Sequence, residues 1–187
     1  MRMVVALTLI TGVLYPLAIT LLAQALFPVQ ANGSLIVAAN RVVGSALIGQ
    51  ANQEARYFWP RPSAVNYMDG SAAGALGTSG ASNLGPTNAA LAAQMEQRDN
   101  AFRVANGLAA DAPVPADMRF ASGSGLDPHI SPAAAHAQID RVAHARGLNP
   151  VIVAALVEQH VAGPQFGLLG SPRVNVLQLN LALDGVQ

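Results

Sequence analysis

Cysteine and lysine are both missing from this chain of 187 residues. Without cysteine there are no disulfides, no thiolate zinc or iron–sulfur ligation, and no thiol catalysis. Without lysine there is no phosphate-loop lysine, no Schiff base and no Ser-x-x-Lys nucleophile. Charge is scarce as well. Charged residues make up 11% of the chain, against about 25% in an ordinary soluble domain. Ten arginines balance ten acidic residues, for a net charge of zero. A nucleic-acid partner is therefore excluded, because neutralising phosphates takes a basic face.

What is present begins with an uncharged run, Met3 to Phe27. As a helix it measures about 37 Å, enough to cross a hydrocarbon core of about 30 Å with some tilt. The rest of the chain stays poorly charged when this run is set aside. Ala23-Gln24-Ala25 resembles a signal-peptidase site, but the apolar run exceeds the roughly 7–15 residues of a signal h-region. An uncleaved anchor spanning 3–27 is the reading preferred. Positive charge sits at Arg2 and does not return until Arg41. The positive-inside rule then puts the N-terminus in the cytoplasm and residues 28–187 outside, with membrane lipid as a partner. Pro16 interrupts the helix and favours a kink. Thr8, Thr11, Gly12 and Thr20 are the small or hydroxylated kind that lets helices approach closely.

The outer part reads as one mixed α+β domain behind one membrane helix. Pro28 to Gly33 is an exit linker. Residues 35–37 and 41–48 read as strands joined by a turn near Asn40. Gly70 to Asn88 reads as a long Gly-, Ser- and Ala-rich loop. A helix runs from Ala89 to Asn106, capped by Thr87 or Asn88 and stopped by Gly107. Leu91, Met95, Phe102 and Ala105 share one of its faces. Met118 to Ala121 reads as a short strand. Ser131 and Pro132 start a helix that runs to Arg146, and Asn149-Pro150 starts another to about Val161. The alternation from Val174 to Leu183 favours a final strand.

Enzyme motifs are absent. No serine sits in Gly-x-Ser-x-Gly, and neither His-Glu-x-x-His nor Gly-x-Gly-x-x-Gly occurs. Ser124, Asp127 and His129 cluster in sequence, but a triad is defined by geometry. His136 and His144 fall about 12 Å apart on one helix and cannot share an ion directly. Asp140 lies four residues from each and suits a solvated polar face. Two segments stay open. Ser122-Gly123-Ser124-Gly125-Leu126-Asp127-Pro128 is either a loop whose amides hold phosphate or, by preference, a tight turn with glycines at positive φ. The run Tyr57 to Tyr67 holds the only Trp, two of the three Tyr, and Arg61. It suits an interface hot spot and an edge of the core equally.

Seven blocks taken together resemble a known family. They are Gly12-Val13-Leu14-Tyr15-Pro16, Gln30-Ala31-Asn32-Gly33-Ser34-Leu35-Ile36 and Val43-Gly44-Ser45-Ala46-Leu47-Ile48-Gly49-Gln50. Next come Tyr57-Phe58-Trp59-Pro60-Arg61-Pro62-Ser63-Ala64 and Ser82-Asn83-Leu84-Gly85-Pro86-Thr87-Asn88. The last are the stretch from Ser122 to Pro132 and Arg173-Val174-Asn175-Val176-Leu177. In this order, over nearly the whole chain, they resemble the C subunit of the Kdp potassium-transporting ATPase. Ala46 and Ala89 depart from the family pattern, which more often has a polar residue and a proline there.

The resemblance implies a non-catalytic subunit of a pump in the bacterial inner membrane, with no active site of its own. Its implied partners are a channel-like subunit that carries potassium and a P-type subunit that hydrolyses ATP through an aspartyl-phosphate. ATP is thus implied as the cofactor of the complex. The family's C subunit is described as a catalytic chaperone that raises ATP affinity. Two ways of doing this follow. Ser122, Gly123, Ser124, Gly125 and Asp127 contact nucleotide directly, or the outer domain docks on the channel-like subunit through Tyr57, Trp59, Arg61 and Tyr67 and acts at a distance; a domain docked in this way that shapes potassium entry is the alternative function. A third reading, from another class, is an anchored envelope-binding module using Tyr57, Trp59 and Tyr67.

Overall fold

A computed structural model describes residues 1–65 and 78–186. The chain forms two compact units, Met1–Leu47 and Ile48–Gln187. It is mixed helix and sheet, as the sequence pattern implies.

The first unit opens with α1 (Arg2–Leu9), a wide π-type turn (Ile10–Leu14) and α2 (Tyr15–Leu26). They join into one helix from Arg2 to Leu26, long and apolar enough to cross a membrane. The π-turn lies just before Pro16. Proline has no N–H to return to the carbonyl four residues back, so the ladder widens there; the Tyr15 N–H donates to Ile10 instead. The Thr11 hydroxyl donates to the Leu7 carbonyl at 2.8 Å. The expected exit linker contains a helical turn, α3 (Pro28–Ala31). β1 (Leu35–Ala38) and β2 (Arg41–Ser45) then pair antiparallel through the expected turn. Ala39 and Asn40 both have positive φ, 48° and 61°. This twist matches that of the flanking strands in a two-residue hairpin. Strand β2 stops at Ser45, short of Ile48, because the Ser45 hydroxyl turns back to the Gly33 carbonyl at 2.7 Å. Among the described residues of this unit only Ser45 is buried.

The second unit holds the core. α4 (Ala89–Asn106) begins at Asn88, whose side chain accepts from the Ala90 N–H, and ends at Gly107 with φ 64°. Phe102 is the buried apolar anchor of its inner face. α5 (Ala116–Arg119) replaces the short strand expected at Met118 to Ala121. Its turn buries Met118, and Asp117 accepts from the Ser131 N–H and hydroxyl. β3 (His129–Ile130) follows.

The helix expected from Pro132 to Arg146 is two helices, α6 (Pro132–His136) and α7 (Ile139–Arg146). The break falls at Ala137-Gln138. There Gln138 is fully buried and turns its amide toward Trp59, a demand that helical periodicity does not reveal. α8 (Pro150–Gln159) is capped by Asn149 as expected and stops short of Val161. Val161 instead opens β4 (Val161–Ala162).

The final strand is largely a helix. Only β5 (Arg173–Asn175) is extended, and α9 (Val176–Asp184) follows. Asn175 accepts from the Gln178 N–H and starts the helix. Val176, Leu179, Asn180 and Leu183 turn inward at helical spacing. β5 is the centre of a three-stranded antiparallel sheet, with β3 on one side and β4 on the other. Around it pack Phe58, Phe102, Val142, Val153, Val157, Val174, Leu179 and Leu183.

Candidate functional site

The Ser122–Asp127 loop forms a junction between three other segments of the second unit. The Gly125 N–H returns to the Ser122 carbonyl at 3.3 Å, closing a tight turn with Gly125 at φ 71°. The Gly49 N–H donates to Leu126, the Ser63 hydroxyl to Gly125, and the Gly80 N–H and Ser79 hydroxyl to Ser124. The Ser122 N–H in turn donates to the Pro62 carbonyl. A Cβ at Gly125 would meet the Val65 side chain and come within 2.6 Å of the Gly80 carbonyl. Glycine is needed here twice, for its φ and for this close approach.

Around the turn, Gly123 and Ser124 are exposed while Ser122 and Gly125 are buried. Ser122 Oγ is buried with no hydrogen-bond partner among the described residues. Asp127 accepts from Arg61 Nη1 at 2.8 Å through one oxygen and from the His129 N–H at 3.0 Å through the other. The expected Ser124, Asp127 and His129 thus meet only in part. His129 Nδ1 lies 3.5 Å from Asp127 Oδ1, while the Ser124 hydroxyl accepts from the Leu126 N–H. Burial lowers the His129 pKa, and Asp127 opposes that shift.

The aromatic segment lies along the edge of the core. Phe58 is fully buried between Tyr57 and Trp59, which are half-buried. Two side-chain amides treat this extended segment as a strand. Asn180 accepts from the Phe58 N–H at 2.8 Å and donates to its carbonyl at 3.0 Å. Gln138 accepts from the Trp59 N–H at 2.7 Å. The indole N–H of Trp59 goes to the Glu54 carbonyl, and the Tyr57 hydroxyl goes to Asp184.

Arginines close the arrangement. The Arg141 guanidinium lies 4.5 Å from the Trp59 ring centroid and donates to the Ala55, Tyr57 and Glu54 carbonyls and to Asn106. Burial lowers its pKa to about 10, so it remains a cation at neutral pH. Arg146 lies 4.8 Å from the Tyr57 centroid and bonds Asp184 at 2.7 Å. Gln138, Arg141, Arg146 and Asn180 escape sequence reading, because each acts on a segment at least 79 residues away. Tyr67, expected to extend this surface, lies outside the described residues, as do residues 70–77 of the expected long loop.

His136 and His144 lie on separate helices. His136 pairs with Glu158 at 2.8 Å and not with Asp140. Among the described residues, no three His, Asp or Glu side chains gather as metal ligands. A shallow cleft along α4, lined by Leu91, Met95, Asp99, Arg103 and Arg119, contains an ion pair. Asp99 is buried there, 2.8 Å from Arg119 Nε but out of hydrogen-bond alignment.

Comparison with known proteins places this geometry. Residues 1–185 match the family described as KdpC, the K+-transporting ATPase c chain. A Burkholderia orbicola protein named potassium-transporting ATPase KdpC subunit is 56% identical over 183 residues, covering 98% of this chain and 92% of its own. Proteins of the same name from Burkholderia ambifaria and Burkholderia mallei are 55% and 54% identical over the same span. With a match that runs from the membrane-length helix to the last helix, the chain belongs to the KdpC family, accessory subunits of the potassium-transporting ATPase.

Proposed function

We propose that this chain supports assembly of the pump and raises the ATP affinity of its P-type subunit from a distance, with residues 28–187 on the outer side of the bacterial inner membrane. Its neighbours in this reading are the channel-like subunit that carries potassium and the P-type subunit that hydrolyses ATP. Remote action is a coupling free energy between sites and needs no nucleotide contact by this chain. The observation that carries the reading is the state of the Ser122–Asp127 loop. Its Ser122, Gly125 and Leu126 amides are spent on the Pro62 carbonyl, the Ser122 carbonyl and the Ser124 hydroxyl, and its carboxylate accepts from Arg61. A phosphate-binding loop instead presents converging free amides. Arg2 at the N-terminal end of the long apolar helix supports the orientation.

Direct ATP contact through Ser122, Gly123, Ser124, Gly125 and Asp127 remains the second reading. It draws on the exposed Gly123-Ser124 tip and the unpartnered Ser122 hydroxyl. An envelope-binding module is a poorer account, because the matched relatives bear the name of a pump subunit. The absence of cysteine makes one experiment clean. Ser124→Cys is exposed to a membrane-impermeant thiol reagent in intact cells making the whole pump. Labelling without lysis is the expected result. Labelling only after lysis, with the complex assembled, overturns the orientation and favours direct nucleotide contact.

A further inference from the structure

The segment between β4 and β5 carries an uncharged, apolar finger. From Val161 to Pro172 there is no charged residue. Gln165 and Leu169 exchange both backbone hydrogen bonds, at 2.8 and 2.9 Å, across a tight turn. At the turn's centre Phe166 and Gly167 both have positive φ, 54° and 76°, and the Leu168 N–H closes it onto the Gln165 carbonyl. Positive φ at both central residues of the Gln165–Leu168 turn is the arrangement dominated by Asn, Asp and Gly. A phenylalanine there is conformationally unfavourable. Yet its ring is left open among the described residues. Phe166 is 92% exposed, Leu168 86% and Leu169 61%. Three large apolar side chains are held out by a turn in which the first of them is a poor fit.

We infer that the Phe166–Leu169 finger is a docking knob that seats in an uncharged apolar pocket on another subunit of the same pump. The inference rests on the reading of this chain as an assembly subunit. Two observations select a protein pocket. Loops that insert into lipid headgroups flank the apolar tip with Lys or Arg for anionic phosphates; residues 161–172 contain none, and the next cation, Arg173, is held in β5. Interface cores, by contrast, are depleted in charge and enriched in aromatic anchors. The backbone pairing at Gln165–Leu169 also fixes the knob before contact, so less order remains to be imposed on binding.

The same misfit makes the test specific. Phe166→Asn places a preferred residue in the turn while removing the anchor. The whole pump is purified through a tag on a different subunit, and the full-length chain is melted in detergent. The expected result is an unchanged or higher melting temperature with association weakened about thirtyfold. Phe166→Asn that co-purifies at the wild-type level overturns the proposal. So does a variant that keeps its place in the pump but loses binding to anionic phospholipid vesicles, which identifies a lipid anchor, or loses only self-association. Leu168→Asn checks the knob independently, since its φ is ordinary. Failure of the wild-type chain to co-purify strikes the assembly reading itself, whatever the finger does.

Discussion

The two units of this chain meet the same physical demand from opposite directions. In Ile48–Gln187 apolar side chains close on each other, and Phe58, Ala134, Val142, Val153, Val157, Val174, Leu179 and Leu183 are sealed from solvent. In Met1–Leu47 the apolar side chains point outward. Leu14, Leu21, Leu26, Val37 and Val42 are each more than 60% exposed, and none packs into a core. A helix of that kind is stable only where lipid or neighbouring helices stand in for an interior. One unit therefore carries its own stabilising surroundings, and the other depends on what it is placed in. The second unit folds around its own core although it too is poor in charge. Much of the chain's excess apolar surface lies on the unit that has no core to fill.

This comparison is open to direct attack, most strongly through Asn180. Asn180→Leu leaves the Phe58 N–H and carbonyl without the amide that pairs them. Stranding those groups in the interior costs about 2–4 kcal/mol. Chemical denaturation of the full chain in detergent should record that loss; an unchanged midpoint means that the second unit is not held together from within.

A smaller effect is expected at His129. Burial, opposed by Asp127, lowers its pKa from the ordinary 6.5. The folded state thus favours the neutral ring. The unfolded state binds the extra proton first as pH falls below about 6.5. The corresponding stability is present above that pH and lost as pH falls through the folded value. Melting temperature should drop between pH 7 and 5, and His129→Gln should drop less. Equal slopes in the two proteins remove His129 from the account. The smallest effect belongs to the first unit. Val37→Thr on the exposed hairpin should shift unfolding by less than about 0.5 kcal/mol. A loss above 1 kcal/mol, in the same denaturation assay, would mean that the hairpin does have an interior.

Local chemistry was readable in the sequence, and distant pairing was not. Asn88, Ser131 and Asn149 announce their helices because a cap bonds to a residue two or three positions away. Gly107 and Gly147 announce the stops, both at positive φ. The last element misleads because Val176 to Leu183 fits two periods at once. The decisive signal is the cap at Asn175, which outweighs the alternation. Gln138 could not be foreseen as a helix break, since its partner at Trp59 is 79 positions away. The glycine turn at Ser122–Gly125 was readable, with its positive φ. Its anchoring to Gly49, Ser63 and Gly80 was not, because no local pattern encodes which strangers a loop will meet. Arg61 and Asp127 each stand out, but only the fold makes them partners.

The amide pairing of the Tyr57–Trp59 segment also bears on when this domain can be made. Phe58 finds its backbone partners only at Asn180, 122 positions later in the chain. A growing polypeptide reaches that residue long after it has made Phe58. Until then the Phe58 N–H and carbonyl lack the amide that pairs them. Such long-range closure is slow compared with local helix formation. Synthesis must therefore deliver the chain as far as Asn180 before the interior can shut. During that interval Phe58 and its neighbours are a target for chaperones and proteases, and a stop codon placed before residue 180 should yield a protein that the cell degrades.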